Sequence, residues 1–474
     1  MMLAQNVVSR VSSLLSQLVL AALLQPSDFG VISLTYMVTS IASTLMNIGI
    51  DDVLLQRQRT MNLWTGPAFW ITLSLAMAAG GLVILASPIV AAIYKAPELV
   101  GLLSILALSM PLSALASVPG MVGRARMQFG VFAIYGSLEM VAQALLTVAL
   151  AWWGFGAYSF VIPMPILAGI RAIVWWRIAG VKTSFRPQRK RWKYVFGNTV
   201  ITAISRTIIS VIGQGDYLVL GLLATQDVVG AYYFGFRLAA QPLWMLAGNF
   251  AGVLFPALVQ LKSDPARQGA AALKASILLS FCVMPLALIQ AATAGPLVIS
   301  LFGEKWATSI PVIQLLSIGL AFDAVSWIAG ALLNSRGEFK AGLFYLLMQA
   351  PVFFIFVIVG ALLDSAIGVA SGVFLYYFIT QPLYVCGVYR RVGVRTSNVI
   401  RMYFQPTFYA AVTVGFAWTV SMLPIIDKLP LARAFVISAL SIPLYAGFVR
   451  WLAPEVWREL SSRLSSALKR HAPG

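Results

Sequence analysis

Long apolar runs broken by short polar interruptions dominate the chain. Fourteen runs can be marked off, at residues 7–24, 29–50, 64–86, 99–122, 131–153, 157–176, 195–223, 229–255, 275–301, 310–333, 341–363, 367–388, 406–426 and 431–448. A membrane-crossing helix needs about 20 predominantly apolar residues, so each run predicts one span. The expected fold is an all-α polytopic membrane protein with about fourteen transmembrane helices. Composition agrees: 60% of the 474 residues are hydrophobic and 10% are charged, with a mean hydropathy of +0.88. A soluble domain carries about 25% charged residues.

The polar interruptions alternate between two kinds. One set of connections, with the tail, holds 25 basic residues, including Arg124, Arg126, Arg189, Lys190, Arg191, Arg390 and Arg391; the other set holds only Lys95, Lys305 and Lys428. By the positive-inside rule the basic side is cytoplasmic, and an even number of spans places both termini there. The net charge of +18 is therefore topology, and a nucleic-acid partner is not expected. All connections on the other side are short, such as 154–156 and 364–366. They leave no external domain to hold a catalytic apparatus, and the chain is expected not to be an enzyme.

The longest connection, about 177–194, is basic and contains Pro187. It divides the chain into an N-terminal six-helix lobe (1–180), a basic cytoplasmic linker (181–194), a second six-helix lobe (195–390), and two additional helices with a basic tail (391–474). The linker's charge suits anionic lipid headgroups and equally suits simple orientation. The tail 457–468 spaces Leu and Trp against Arg and Lys in helical register, which predicts a helix able to lie on the membrane surface.

Cys282 and Cys386 stand in separate apolar runs, and the single histidine is His471. Neither a disulfide framework nor a metal site is indicated, and no cofactor is expected. No G-x-x-x-x-G-K-[ST] nucleotide motif is present.

An ionisable group at membrane depth costs about 2.5–3.5 kcal/mol even on the lenient insertion scale. The groups kept there are candidates for function. Arg206 lies deep in the seventh run and Arg237 about two turns into the eighth, while Arg10 interrupts the first. Arginine stays charged at depth and offers phosphate a planar fork of donors. Arg10, Arg206 and Arg237 are therefore the candidate substrate-binding residues. Arg171 is close enough to its end of the sixth run for its head to reach the interface. Asp323 and Glu139 are mid-span and Asp216 nears the outer end of its run. Each is a candidate to bind a coupling proton or cation, or to pair structurally with a neighbour.

A shift of 200 residues superposes the first block on the second. Leu18, Val19, Leu20, Leu23 and Gly30 fall on Leu218, Val219, Leu220, Leu223 and Gly230. Both copies occupy the same place, where the first helix of a block turns into the second. Two repeats around a midplane site are a common transporter plan, and here they predict two lobes around a central cleft.

The stretch from Leu15-Ser16-Gln17-Leu18 through Leu24-Gln25-Pro26-Ser27-Asp28-Phe29-Gly30, then Asn47-Ile48-Gly49-Ile50 and Leu54-Leu55-Gln56, resembles the opening of Wzx-type oligosaccharide flippases. So do Gly215-Asp216-Tyr217-Leu218-Val219-Leu220-Gly221, Val229-Gly230-Ala231-Tyr232-Tyr233 and Arg237-Leu238. These flippases belong to the multidrug/oligosaccharidyl-lipid/polysaccharide exporter superfamily. The resemblance implies a bacterial inner-membrane protein that moves undecaprenyl-pyrophosphate-linked oligosaccharide repeat units to the periplasmic leaflet by alternating access. The product pathway would be exopolysaccharide, capsule or O-antigen synthesis. Partners implied are the polyprenyl-pyrophosphate-linked cargo, membrane lipids, a polysaccharide polymerase and chain-length proteins; a proton or sodium gradient is the implied driving force. Two rival readings remain at this point. One is a multidrug or toxic-compound cation antiporter of the same superfamily, which predicts an acid-rich cavity. The other is a polytopic enzyme acting on lipid-linked sugars, which predicts sizeable external loops.

Overall fold

A computed structural model describes residues 16–46, 61–125, 129–179, 192–424 and 429–469. Arg10 and residues 181–191 of the basic linker lie outside them. The described residues form helices α1 (16–23), α2 (Pro26–Met46), α3 (Met61–Ile93), α4 (Glu98–Ala125), α5 (Phe129–Trp152) and α6 (Tyr158–Ala179). Next come α7 (Trp192–Leu223), α8 (Gln226–Gln260), α9 (Pro265–Phe302) and α10 (Ser309–Arg336). The run Phe339–Arg390 follows, then α13 (Thr396–Ser421), α14 (Pro430–Leu452) and α15 (Pro454–Lys469). Ten of these runs are long and apolar enough to cross a membrane among the described residues.

Phe339–Arg390 counts 52 residues, which as one straight helix would reach about 78 Å, against a hydrocarbon core of about 30 Å. It breaks at Asp364 (φ −157°) and Ser365 (φ +35°). The halves, α11 (339–363) and α12 (366–390), fold back on each other at the expected connection 364–366. Glycine makes the return tight. A Cβ on Gly360 would strike the Gly368 carbonyl, and one on Gly372 the Phe356 carbonyl. Small residues that let backbones approach are the usual means of helix association in lipid.

Span six runs Tyr158–Ala179, close to the 157–176 expected. At Ile162 the backbone stays helical (φ −58°, ψ −43°) and its N–H donates to the Tyr158 carbonyl at 3.1 Å. Pro163, which follows, has no N–H to continue that ladder.

Contacts cluster into two units, Met1–Tyr233 and Phe234–Gly474. In the first, α3 packs on α4, α4 on α6, and α2 on α7. Its core gathers Phe69, Ile71, Val118, Met121 and Val122, with Trp176 packed against them. The Trp176 indole N–H donates to the Leu115 carbonyl at 2.9 Å. The start of α2 carries Pro26 in its first position, and Asp28 Oδ2 accepts the Gln25 N–H at 3.0 Å. That satisfies one of the donors a helix start leaves open.

The turn at α2 carries a reciprocal contact that bears on the 200-residue repeat. A Cβ on Gly30 would lie well under 3.0 Å from the Gln226 carbonyl, and one on Gly230 equally close to that of Pro26. Gln226 and Gly230 stand 200 positions after Pro26 and Gly30. The first turns of α2 and α8 thus cross with each glycine seated on the other copy's carbonyl, as a two-fold relation requires. The repeat read from sequence has a physical counterpart.

In the second unit α10 is the central helix, with Leu316, Leu320, Phe322, Val325, Ile328 and Leu332 all buried. It ends at Gly337 in the left-handed region (φ +74°), which glycine adopts without a side-chain penalty. Around that end a polar cluster ties α8, α9 and α10 to the start of α11 and the end of α12. Arg336 Nε bonds Glu338 Oε1 at 2.5 Å and Arg391 bonds Oε2 at 2.8 Å. Arg336 also reaches Gln268 Oε1 at 3.1 Å, while Gln268 Nε2 donates to the Leu258 carbonyl at 2.8 Å. Hydrogen bonds from Arg336 and Arg391 hold the Glu338 carboxyl below its ordinary range, against a weaker opposing push from burial. A depressed carboxyl adds stability above its unfolded value of about 4.3, and that stability is lost as pH falls through the folded value. The thermal midpoint of Glu338→Gln should therefore lie below that of the unaltered protein at pH 7. The two should converge below about pH 4; a constant gap down to pH 3 would remove the ion pairs as the cause.

The amphipathic α15 does not simply lie on lipid. Its Val456, Trp457 and Leu460 pack on a cluster of Phe281, Tyr409 and Val449, and Lys274 bonds Glu459 at 3.0 Å.

Candidate transport site

Within the first unit, α2, α3, α4 and α6 surround a cavity of about 460 Å³. Eight of its thirteen lining residues carry hydroxyls: Tyr36, Thr39, Ser40, Ser43, Thr72, Ser109, Ser113 and Ser117. Met46, Leu106, Met110, Ala114 and Met164 complete the wall. Several of these hydroxyls donate back to their own helix: Thr39 to Thr35, Ser43 to Ser40, Thr72 to Ala68 and Ser109 to Leu106. Their protons are thereby used, and their lone pairs remain to accept from whatever enters. A chamber that accepts hydrogen bonds and offers methionine between them suits sugar, which presents O–H donors at its edges and C–H surface on its faces.

One guanidinium group adjoins this chamber, and a second arginine stands on a neighbouring helix face. Arg171 donates to the lining Ser113 Oγ at 3.0 Å and pairs with Glu139 at 3.1 Å. The interfacial reach expected for Arg171 is thus corrected: a carboxylate and a hydroxyl of neighbouring helices hold its head. Arg206 is half-buried on α7. One turn further, Ser210 Oγ meets the lining Ser40 Oγ at 3.4 Å. Residues four apart share a helix face, so Arg206 stands on the side of α7 that meets α2 beside the chamber.

Asp216 is buried at the far end of α7, accepting the Tyr232 hydroxyl at 2.8 Å and the Tyr217 N–H at 2.9 Å. Those bonds tie α7 to the start of α8. Ten residues separate Asp216 from Arg206, roughly 15 Å along the helix, so the two do not meet.

The second unit holds Arg237 and Asp323. The Asp323 carboxyl accepts the Trp327 indole N–H at 3.1 Å, and Trp244 lies beside that indole. The two indole rings lie 6.4 Å apart. Arg237 is two turns before Trp244 on α8, about 10 Å along the same face. The structure thus sets Glu139 beside the chamber of the first unit through Arg171, with Arg206 on the adjoining face of α7; in the second, Arg237 shares a face of α8 with Trp244, whose ring packs near that of Trp327, the donor to Asp323. Asp216 stands apart from both groups.

The sequence reading passed over the chamber. Its signal was present as a stripe: Ser109, Ser113 and Ser117 recur every four residues on α4, as do Thr39 and Ser43 on α2. Small hydroxyl residues at that spacing read most simply as packing between helices, and only the cavity separates the two meanings.

A polysaccharide biosynthesis protein family matches residues 19–311. The succinoglycan biosynthesis transport protein ExoT of Rhizobium meliloti (strain 1021) is 27% identical over 310 residues, covering 63% of this chain and 61% of that protein. The lipopolysaccharide biosynthesis protein WzxC of Escherichia coli (strain K12) is 22% identical over 384 residues, covering 78% of this chain and 76% of that one. The match to ExoT spans less than two thirds of its length. Among solved structures, the lipid II flippase MurJ in an inward closed conformation superposes with a TM-score of 0.77. It is 12% identical, over 95% of this chain and 99% of that one, and so speaks for the fold alone. The resemblance carried by residues 15–56 and 215–238 is borne out, and so is the multi-pass helical fold. With its family match running through well over half of the sequence, this multi-pass membrane protein belongs to the polysaccharide biosynthesis protein family.

Proposed function

We propose that the protein moves undecaprenyl-pyrophosphate-linked oligosaccharide repeat units from the cytoplasmic to the periplasmic leaflet of a bacterial inner membrane, with both termini cytoplasmic. The observation that carries this reading is the hydroxyl-lined chamber with Arg206 on the neighbouring helix face. Sugar and pyrophosphate cannot cross hydrocarbon unaided, while a polyprenyl tail can stay in it. The protein supplies acceptors for the sugar and guanidinium for the phosphate, and alternates the side from which they are reached. It does no bond chemistry on the cargo; polymerase and chain-length proteins receive what it delivers. ExoT and WzxC bear names of transport and of surface-polysaccharide synthesis, which supports the same assignment.

The test is movement itself. In vesicles of purified protein, a lipid-linked oligosaccharide should become accessible to an impermeant lectin, whereas multidrug cations should not be exported. Drug export without lipid movement would overturn the assignment in favour of the cation antiporter. The chamber favours the first outcome, because Glu139, the carboxylate beside it, already pairs with Arg171.

Asp323 is the coupling site in this reading. Asparagine keeps an acceptor for the Trp327 indole and removes the charge. Asp323→Asn should leave lipid-linked oligosaccharide binding intact and make vesicle transport insensitive to a proton or sodium gradient. Unchanged gradient dependence would exclude it.

A further inference from the structure

On the basic side of the second unit, α9, α13 and the corner between α14 and α15 enclose a crevice of about 520 Å³. Its apolar wall includes Ile277, Phe281, Met402 and Leu452; its polar rim is Asn398, Arg401, Gln405 and Glu455. Arg401 Nε donates to Gln405 Oε1 at 3.0 Å. Among the described residues, neither Arg401 nor Glu455 forms an ion pair. A second cavity of about 700 Å³ shares Leu273, Ile277, Glu455 and Val456 with the first, so the two flank one ridge at the start of α15. In the second cavity Lys274 and Glu459 neutralise each other at 3.0 Å.

This combination has a chemical meaning. An apolar wall with one cation on its rim is an amphiphile site. A carboxylate on the same rim would repel a purely anionic headgroup, and it would welcome one that carries an amine. We infer that the crevice binds a zwitterionic aminophospholipid, with phosphate on the terminal nitrogens of Arg401, ammonium toward Glu455 and acyl chain along Leu273, Ile277 and Leu452. Bound there, the lipid fills the gap between α9 and α13 and fastens α15 to the unit. The site is separate from the chamber of the first unit and does not depend on what that chamber carries.

Detergent-purified full-length protein, titrated with short-chain phosphatidylethanolamine, phosphatidylglycerol or inorganic phosphate, tests this by thermal unfolding. Phosphatidylethanolamine should raise the midpoint at concentrations at least tenfold lower than phosphatidylglycerol, and inorganic phosphate should leave it unchanged. Arg401→Ala should remove both lipid shifts and Arg401→Lys should restore part of them. Glu455→Gln should bring the two lipids level. Each variant is read against its own lipid-free midpoint, so a loss of basal stability does not imitate a loss of binding. Equal potency of the two lipids on the unaltered protein overturns the proposal, as does an ethanolamine shift that survives Arg401→Ala, or a shift produced by inorganic phosphate alone.

Discussion

Arg206→Ala should abolish surface polymer while the protein still accumulates in the membrane. The side chain is half-buried on a helix face that meets the chamber lining through Ser210 and Ser40. A hydrogen bond to a charged group contributes about 1.5–3 kcal/mol, and 1.4 kcal/mol is a factor of ten. Loss of a phosphate contact should therefore slow lipid-linked oligosaccharide movement by about 10- to 100-fold at limiting substrate. Lysine keeps the charge and gives up the planar fork, so Arg206→Lys should recover only part of the rate. Immunoblots of membranes, polymer yield from cells and the vesicle assay together separate transport from folding. Normal polymer from Arg206→Ala would take this residue out of the mechanism.

Gly230→Ala, like Gly30→Ala, should be among the costliest single methyl groups added to the described part of the first unit. The new Cβ would enter the Pro26 carbonyl and crowd the Gly30 N–H. Backbone cannot swing aside as a flexible side chain does, and overpacking of a fixed site costs about 1–3 kcal/mol or more. The expected result is a lower amount of folded protein in the membrane and a lower midpoint in detergent. Gly81→Ala is the matched control, because a Cβ there meets nothing within 4 Å. Alanine at Gly81 should be neutral or slightly stabilising. If both changes behave alike, the crossing of α2 and α8 is looser than described.

Much of this architecture could be read before any coordinate. Apolar runs and the one-sided placement of arginine gave the helix count, the break near Asp364 and the limits of α7 within a few residues. Those features follow from transfer free energy, which acts residue by residue and leaves its mark in composition. That Glu139 pairs with a neighbour was one of the two roles open to it, but the identity of that neighbour was hidden, since Arg171 is 32 positions away. The hydroxyl chamber was visible only as a stripe of serines. Whether such a stripe meets another helix or empty space is decided by its neighbours, and no local pattern records that.

The crossing of the two glycines also says something about descent. A contact in which position 30 meets 226 and position 230 meets 26 is self-complementary. An ancestral chain half as long would have needed one glycine to build it, by pairing with an identical copy. Once both copies were joined in one gene, two codons came to share a constraint that one had carried. Substitutions at the two positions should then be accepted or rejected together across descendants, and a lineage that lost one glycine should have rebuilt the opposite turn.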